Sequence, residues 1–318
     1  MNARTSPDAE VAAFARDIRA SLSESPRHLP SRYLYDTLGS ALFEAICALP
    51  WYRLTRAESA LLERHGPDIL AACAPLRSVV ELGPGNGAKL ACLLGARGDN
   101  GEPLDVHLID VSAAALDAAE ARLAALPGLA VVRHEASYDA GLAALESGSG
   151  PKLVLMLGSN IGNFDRPGAL TMLRSMRAAM RPGDRVLLGA DLIKDERDML
   201  LAYDDPLGVT AAFDRNLLLR INRELGGDFD LAGFDYRVRW NADAARVEAW
   251  LVSRRMQTVR IPAAGLELAL GTGEPIWIES AHKYTRESVF ALLGQAGFVA
   301  QDCWENRDDG FALALARC

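Results

Sequence analysis

The stretch SVVELGPGNGAK, residues 78–89, runs from five strand-like residues through a glycine turn into the start of a helix. Its strand part is a short apolar run, which reads as a buried strand. The same pattern continues downstream. VHLID at 106–110, LAVVRHE at 129–135, KLVLMLGSN at 152–160 and the RVLLGADL that follows Pro182-Gly183-Asp184 read as further strands. Helical segments at 112–126, 139–146 and 166–180 separate them. Apolar strands alternating with helices predict an α/β domain with a parallel sheet and helices on both faces.

Upstream, residues 1–54 mix helical spacing, as at Ala41–Leu49, with Ser- and Pro-rich turn chemistry, and a helical run from Arg56 leads into the first strand. Beyond Lys194 the pattern changes to a helical region around 196–225, then to the period-two segments DYRVRWNADAARVEAWLVS and QTVRIPAAGLELAL, which read as antiparallel hairpins. This predicts an α+β module inserted into the α/β domain. A helix at 285–296 and two strands around Arg307–Gly310 close the chain, and this terminal antiparallel pair resembles the last hairpin of class I methyltransferases. The expected division is 57–193 with 283–318 for the α/β domain, and 1–56 with 194–282 for the second.

The chain has 318 residues, half of them apolar, and a net charge of −8. That charge, without a Lys/Arg cluster, argues against nucleic acid as a partner. Cys47, Cys73, Cys92, Cys303 and Cys318 are scattered and lack metal or redox spacing, so they read as reduced, buried thiols. The five histidines show no ligand spacing either, and no metal is expected. No apolar run approaches the roughly 20 residues of a membrane span, and Met1–Arg16 lacks the apolar core of a signal peptide. A cytoplasmic monomer acting on a small molecule is the expectation.

At the carboxyl end of the first strand, Gly83 and Gly85 let the backbone approach a ligand, the usual place for ligands on open α/β sheets. Asp110, ending the second strand, is the candidate for ribose hydroxyls; its alternative is a helix cap before Ser112. A nicotinamide dinucleotide site would use similar parts. The GxGxG spacing and the terminal hairpin favour S-adenosylmethionine instead.

Several longer stretches extend this reading: RYLYDTLGSALFEAI at 32–46, LPWYRLTRAE at 49–58, LGSNIGNF at 157–164, GADLIKD at 189–195, AYDDPLGVTAAFDRNLLLRINRELGGDFD at 202–230 and EPIWIESAHKY at 274–284. Together they resemble the L-histidine Nα-methyltransferases of ergothioneine biosynthesis. The resemblance spans nearly the whole chain. It implies three successive transfers from S-adenosylmethionine to the histidine α-amine, giving hercynine, with one domain for the cofactor and another for the substrate. It places Gly83, Lys89 and Asp110 at the cofactor, with Ser137-Tyr138 where the family has an adenine-contacting Asp-Phe pair. It places Asn163 and Tyr203 at the amino acid's carboxylate and amine, Tyr35 and Phe43 near the reacting nitrogen, and Gly158 at the pocket wall by its backbone.

The resemblance is imperfect where the ring of the substrate is read. Glu279 retains the acid that accepts an imidazole N–H, a task suited to an acceptor-only carboxylate. The family's neighbouring Ser falls on Ala281, and its ring-packing Met on Ala249. A larger ring such as indole is therefore the alternative acceptor, unless Ser280 or His282 supplies the missing contact. Two further readings are a non-catalytic S-adenosylmethionine or amino-acid binder and an NAD-dependent dehydrogenase.

Overall fold

The computed structural model describes residues 7–97, 103–145 and 150–318, which form two compact units. One unit is Arg53–Lys194 with His282–Cys318; the other joins the residues up to Tyr52 with Asp195–Ala281. The chain begins with α1 (Pro7–Ser23) and α2 (Thr37–Ala48) in the second unit and enters the first through α3 (Leu54–Ala72). Leu54, Ala57, Glu58, Leu61, Leu62 and Ile69 make the buried stripe of α3, the three-and-four spacing of one helix face.

The α/β unit then alternates β1 (Ser78–Leu82), α4 (Ala88–Gly95), β2 (Leu104–Asp110), α5 (Ala113–Leu123), β3 (Leu129–Glu135), α6 (Tyr138–Ala143), β4 (Lys152–Met156), α7 (Arg166–Ala178) and β5 (Arg185–Asp191). In the second unit lie α8 (Glu196–Tyr203), α9 (Val209–Leu225), β6 (Phe234–Asn241), β7 (Arg246–Ser253), β8 (Gln257–Ile261), β9 (Leu266–Leu270) and most of β10 (Pro275–His282). The chain returns to the α/β unit for α10 (Arg286–Gln295), β11 (Val299–Asn306) and β12 (Phe311–Arg317).

The seven-stranded sheet has the order β11-β12-β5-β4-β1-β2-β3. Strands β1 to β5 pair in parallel, and β12 inserts antiparallel between β5 and β11. The reversal of order between β1 and β4 leaves a crevice at the carboxyl ends of these strands, where an open α/β sheet takes its ligand. Every residue of β1 is buried, whereas the edge strand β3 exposes alternate side chains. This is the class I methyltransferase arrangement, with the terminal hairpin expected from the sequence.

In the second unit, β10-β7-β6 form one sheet and β8-β9 a separate hairpin. The single helical region expected over 196–225 is two helices. Pro206 cannot donate in a helix, and the Asp205 carboxylate caps the restart by accepting from the N–H groups of Leu207, Val209 and Thr210 at 3.0, 3.2 and 2.8 Å. α2 is fixed by Asp36, whose carboxylate accepts from Gly39 N–H, from Asn216 at 2.7 Å and from Arg223 at 2.6 Å. No helix among the described residues is long and apolar enough to cross a membrane.

Candidate active site

In the α/β unit the turn after β1 holds Gly83, Gly85 and Gly87 at φ of 71°, 55° and 73°, a region that side chains rarely enter. A Cβ on Gly83 would come within 2.6 Å of the Tyr138 hydroxyl and 2.7 Å of Asn160 Nδ2, so the turn is closely walled on that side. A Cβ on Gly85 would meet nothing within 4 Å, which leaves the backbone open to a ligand.

Three acids and one lysine converge on this turn. Asp110 at the end of β2 accepts from Ser112 N–H at 2.9 Å, and burial raises its proton affinity while the Ser112 and Val111 amides lower it. It does not cap α5; Ser112 does, accepting from Ala115 N–H. Glu81, two residues before Gly83, is buried, and its Oε2 has no hydrogen-bond partner among the described residues. Burial pushes its carboxyl up to about 8, with Lys89 opposing and Glu58 and Asp110 reinforcing the shift. Glu58, fully buried on α3, accepts from Gly158 N–H with both oxygens at 2.9 and 2.8 Å and pairs with Lys89 Nζ at 2.6 Å.

Gly158 lies at φ 71°, and a Cβ there would sit 2.9 Å from Lys89 Nζ. The 3-10 turn Asn160–Asn163 that follows is tied by Tyr284 donating to Ile161 O at 3.1 Å and by His282 Nδ1 against Gly162 O at 3.2 Å. His282 is thereby engaged with this loop. Asn163 is exposed at the end of the turn, and Asn160 donates to Leu82 O beside Gly83. The Ser137 hydroxyl caps α6 by accepting from Ala140 N–H, and Tyr138 sets its own hydroxyl against the glycine turn, its proton held by burial.

These residues suit S-adenosylmethionine better than a dinucleotide. An orphaned buried carboxyl oxygen on Glu81, with Asp110 and Glu58 nearby, favours a ligand carrying positive charge and would oppose a pyrophosphate. A test follows from the sign of the shift. Without a ligand, Glu81 holds its proton up to about pH 8, even with Lys89 nearby; a cationic ligand lowers that value further, so binding at pH 7.5 should release protons. Calorimetry of S-adenosylmethionine binding in buffers of different ionisation enthalpy reads this release directly. It should vanish in Glu81→Gln, and equal release in both proteins would remove Glu81 from the site.

The second unit gathers the other candidates. Tyr35 lies edge-on to Phe43 and Phe213, both at 5.5 Å between ring centroids, and Tyr52 packs on Phe43 at 6.3 Å and on Tyr203 at 6.4 Å. Tyr236 donates to Tyr203 O at 2.9 Å. Tyr52 is buried, and burial first, then Tyr203, Cys47, Tyr35 and Glu279, raise its proton affinity well above that of a free phenol. Glu279 therefore lies within electrostatic reach of the aromatic cluster. Ala249 on β7 and Ala281 on β10 are both buried. Trp277 stacks on Trp250 at 5.1 Å and donates its Nε1–H to Glu279 O at 2.8 Å.

Sequence reading did not single out Glu58, Glu81, Tyr52, Phe213 or Tyr236. Two signals were present: Glu58 falls within the apolar stripe of α3, and Glu81 is the one charge in an otherwise apolar strand.

The sheet order, the terminal hairpin and the acid-lined glycine turn define a class I S-adenosylmethionine-dependent methyltransferase. Residues 14–318 match the family model described as histidine-specific methyltransferase, SAM-dependent. The chain belongs to that family. It is 38% identical to the histidine N-alpha-methyltransferase of Mycolicibacterium smegmatis over 310 residues, 97% of this chain and 96% of that protein. It is 31% identical to ergothioneine biosynthesis protein 1 of Neurospora crassa, covering 88% of this chain and 32% of that longer protein. The L-tryptophan methyltransferase of Psilocybe serbica is 26% identical, covering 92% of this chain and 88% of that protein.

Proposed function

We propose that the protein transfers methyl groups from S-adenosylmethionine to the α-amine of free L-histidine, three in succession, giving hercynine. The observation that carries this reading is an acid, Glu279, within electrostatic reach of Tyr52, which packs in the aromatic cluster of Tyr35, Phe43, Tyr203 and Phe213. An acceptor-only carboxylate beside aromatic walls suits a flat ring that donates an N–H. The α/β unit binds the cofactor through Gly83, Gly85, Lys89, Asp110, Ser137 and Tyr138, and the family resemblance assigns its Gly158 and Asn163 to the amino acid. The other unit recognises the substrate through Tyr35, Phe43, Tyr203, Ala249, Glu279 and Ala281.

Bound S-adenosylmethionine supplies an electrophilic methyl group on its sulfonium. The chain's own contribution is orientation. Asn163 and Tyr203 hold the amino acid's carboxylate and amine, and Glu279 holds the ring, so the amine is fixed from both ends. The amine reacts only as the free base, because an ammonium has no lone pair. Tyr35 orients it by a hydrogen bond, since a phenol with an ordinary pKa near 10 is a weak base at neutral pH. Tyr35→Phe should accordingly lower kcat about fivefold, the order of one hydrogen bond. A folded but fully inactive variant would assign Tyr35 to proton removal instead.

Ala249 and Ala281 support a second reading, in which a larger aromatic amino acid such as tryptophan is the acceptor. Incubating the protein with S-adenosylmethionine and the twenty free amino acids, with mass gains read for one to three methyl groups, separates the two. Gain on histidine alone supports the first reading, gain on tryptophan the second, and no gain leaves a binder of S-adenosylmethionine or an amino acid.

A further inference from the structure

The 3-10 turn Asn160–Asn163 closes with Gly162 N–H on Ser159 O at 2.8 Å and Phe164 N–H on Ile161 O at 3.3 Å. The Gly162 carbonyl lies at its carboxyl end, where a helical turn leaves oxygens to be satisfied from outside. His282 Nδ1 stands 3.2 Å from that oxygen. A carbonyl only accepts, so the contact requires the His282 hydrogen on Nδ1. The two backbones also meet closely, since a Cβ on Gly162 would fall 2.8 Å from His282 O.

The segment that carries His282 has its own anchor. Tyr284 N–H donates to Asp191 O at 3.0 Å and Ile193 N–H to Tyr284 O at 2.8 Å, which joins the segment to the end of β5. Lys283 Nζ pairs with Asp191 Oδ2 at 2.7 Å, both side chains being 1% exposed. The turn is tied to the same base: the Ser159 hydroxyl accepts from Asp191 N–H at 3.0 Å, and Tyr284 donates to Ile161 O at 3.1 Å. Asn163, exposed, follows directly on Gly162.

We propose that His282 is a positioning residue for Asn163. The carbonyl it holds belongs to the peptide unit that joins Gly162 to Asn163, and such a unit is planar. Fixing that oxygen fixes the direction of the Asn163 N–H and the place of its Cα, so the side-chain amide meets the amino acid already oriented. This rests on the reading of Asn163 as a residue that holds the amino acid's carboxylate and amine. With Nδ1 engaged on the turn, His282 serves that end of the substrate and does not replace the serine contact missing at Ala281.

Two amide substitutions separate the ring nitrogens. His282→Asn sets an amide nitrogen where Nδ1 stands and keeps the bond to Gly162 O, whereas His282→Gln sets one at the level of Nε2 and loses it. L-histidine binding is read by calorimetry with saturating S-adenosylhomocysteine, so that no methyl group is transferred; S-adenosylhomocysteine binding is read separately. His282→Asn should stay within about twofold of the parent for L-histidine. His282→Gln should bind it about two- to tenfold more weakly, the order of one hydrogen bond, with S-adenosylhomocysteine affinity within about twofold. In an Asn163→Ala background, His282→Gln should add nothing, because the two residues act as one unit.

A His282→Gln with parent affinity, equal losses in the Asn and Gln variants, additive losses in the double variant, or an equal fall in S-adenosylhomocysteine affinity would overturn the proposal. An Asn163→Ala that leaves L-histidine binding unchanged would instead overturn the reading of Asn163 on which it rests.

Discussion

Glu58→Ala should lower stability by about 3–5 kcal/mol, the range for removing one member of a buried ion pair, and weaken S-adenosylmethionine binding at least tenfold. The reason lies in what the carboxylate holds. Both of its oxygens take the Gly158 N–H, and one of them also pairs with Lys89 at 2.6 Å, all from a fully buried position. Alanine removes the Lys89 ion pair and the acceptor of the Gly158 amide, and frees the loop that begins at Gly158. Space confirms the coupling: a Cβ on Gly189 of β5 would fall 2.2 Å from Glu58 Oε1, so β5 has a glycine where the acid needs room. Gly189→Ala should thus be severe alone and mild in the Glu58→Ala background, a double-mutant cycle readable by urea denaturation. Additive effects, or unchanged cofactor affinity in Glu58→Ala, would count against this account.

Glu279→Ala is expected to act on the other substrate. Losing one charge-assisted hydrogen bond costs about 1.5–3 kcal/mol, so the KM for histidine should rise by roughly 10- to 150-fold, while S-adenosylmethionine affinity moves less than threefold. Calorimetry of each ligand separately, with saturating amounts of the other, gives the two values. Equal loss of both would make Glu279 a structural residue of β10. A fall in selectivity between histidine and tryptophan should accompany the change, because a site discriminates most strongly through polar groups left unpaired by the wrong substrate.

The parallel core was legible because its strands are short, apolar throughout and bounded by turn residues, a pattern that needs no long-range information. Asp110 was legible for the same reason: it ends a strand. The insertion of β12 between β5 and β11 was not, since local pattern carries no strand order. Glu58 was missed although it falls in the apolar stripe of its helix, because what it pairs with, Lys89 and the Gly158 amide, is set by tertiary packing. The same holds for Phe213, which meets Tyr35 and Phe43 across some 170 residues of chain.

The second unit is built from two pieces of chain separated by Arg53–Lys194. During synthesis, α1 and α2 therefore emerge before α9 exists to receive them. At about 5–20 residues per second, the wait is on the order of 10–30 seconds. Over that interval Phe14, Ile18 and Leu22, all enclosed in the finished protein, lack the part of their packing that α9 supplies, and the intervening α/β unit is completed only when β11 and β12 arrive last. The amino-terminal helices therefore reach their final packing only after most of the chain has been made.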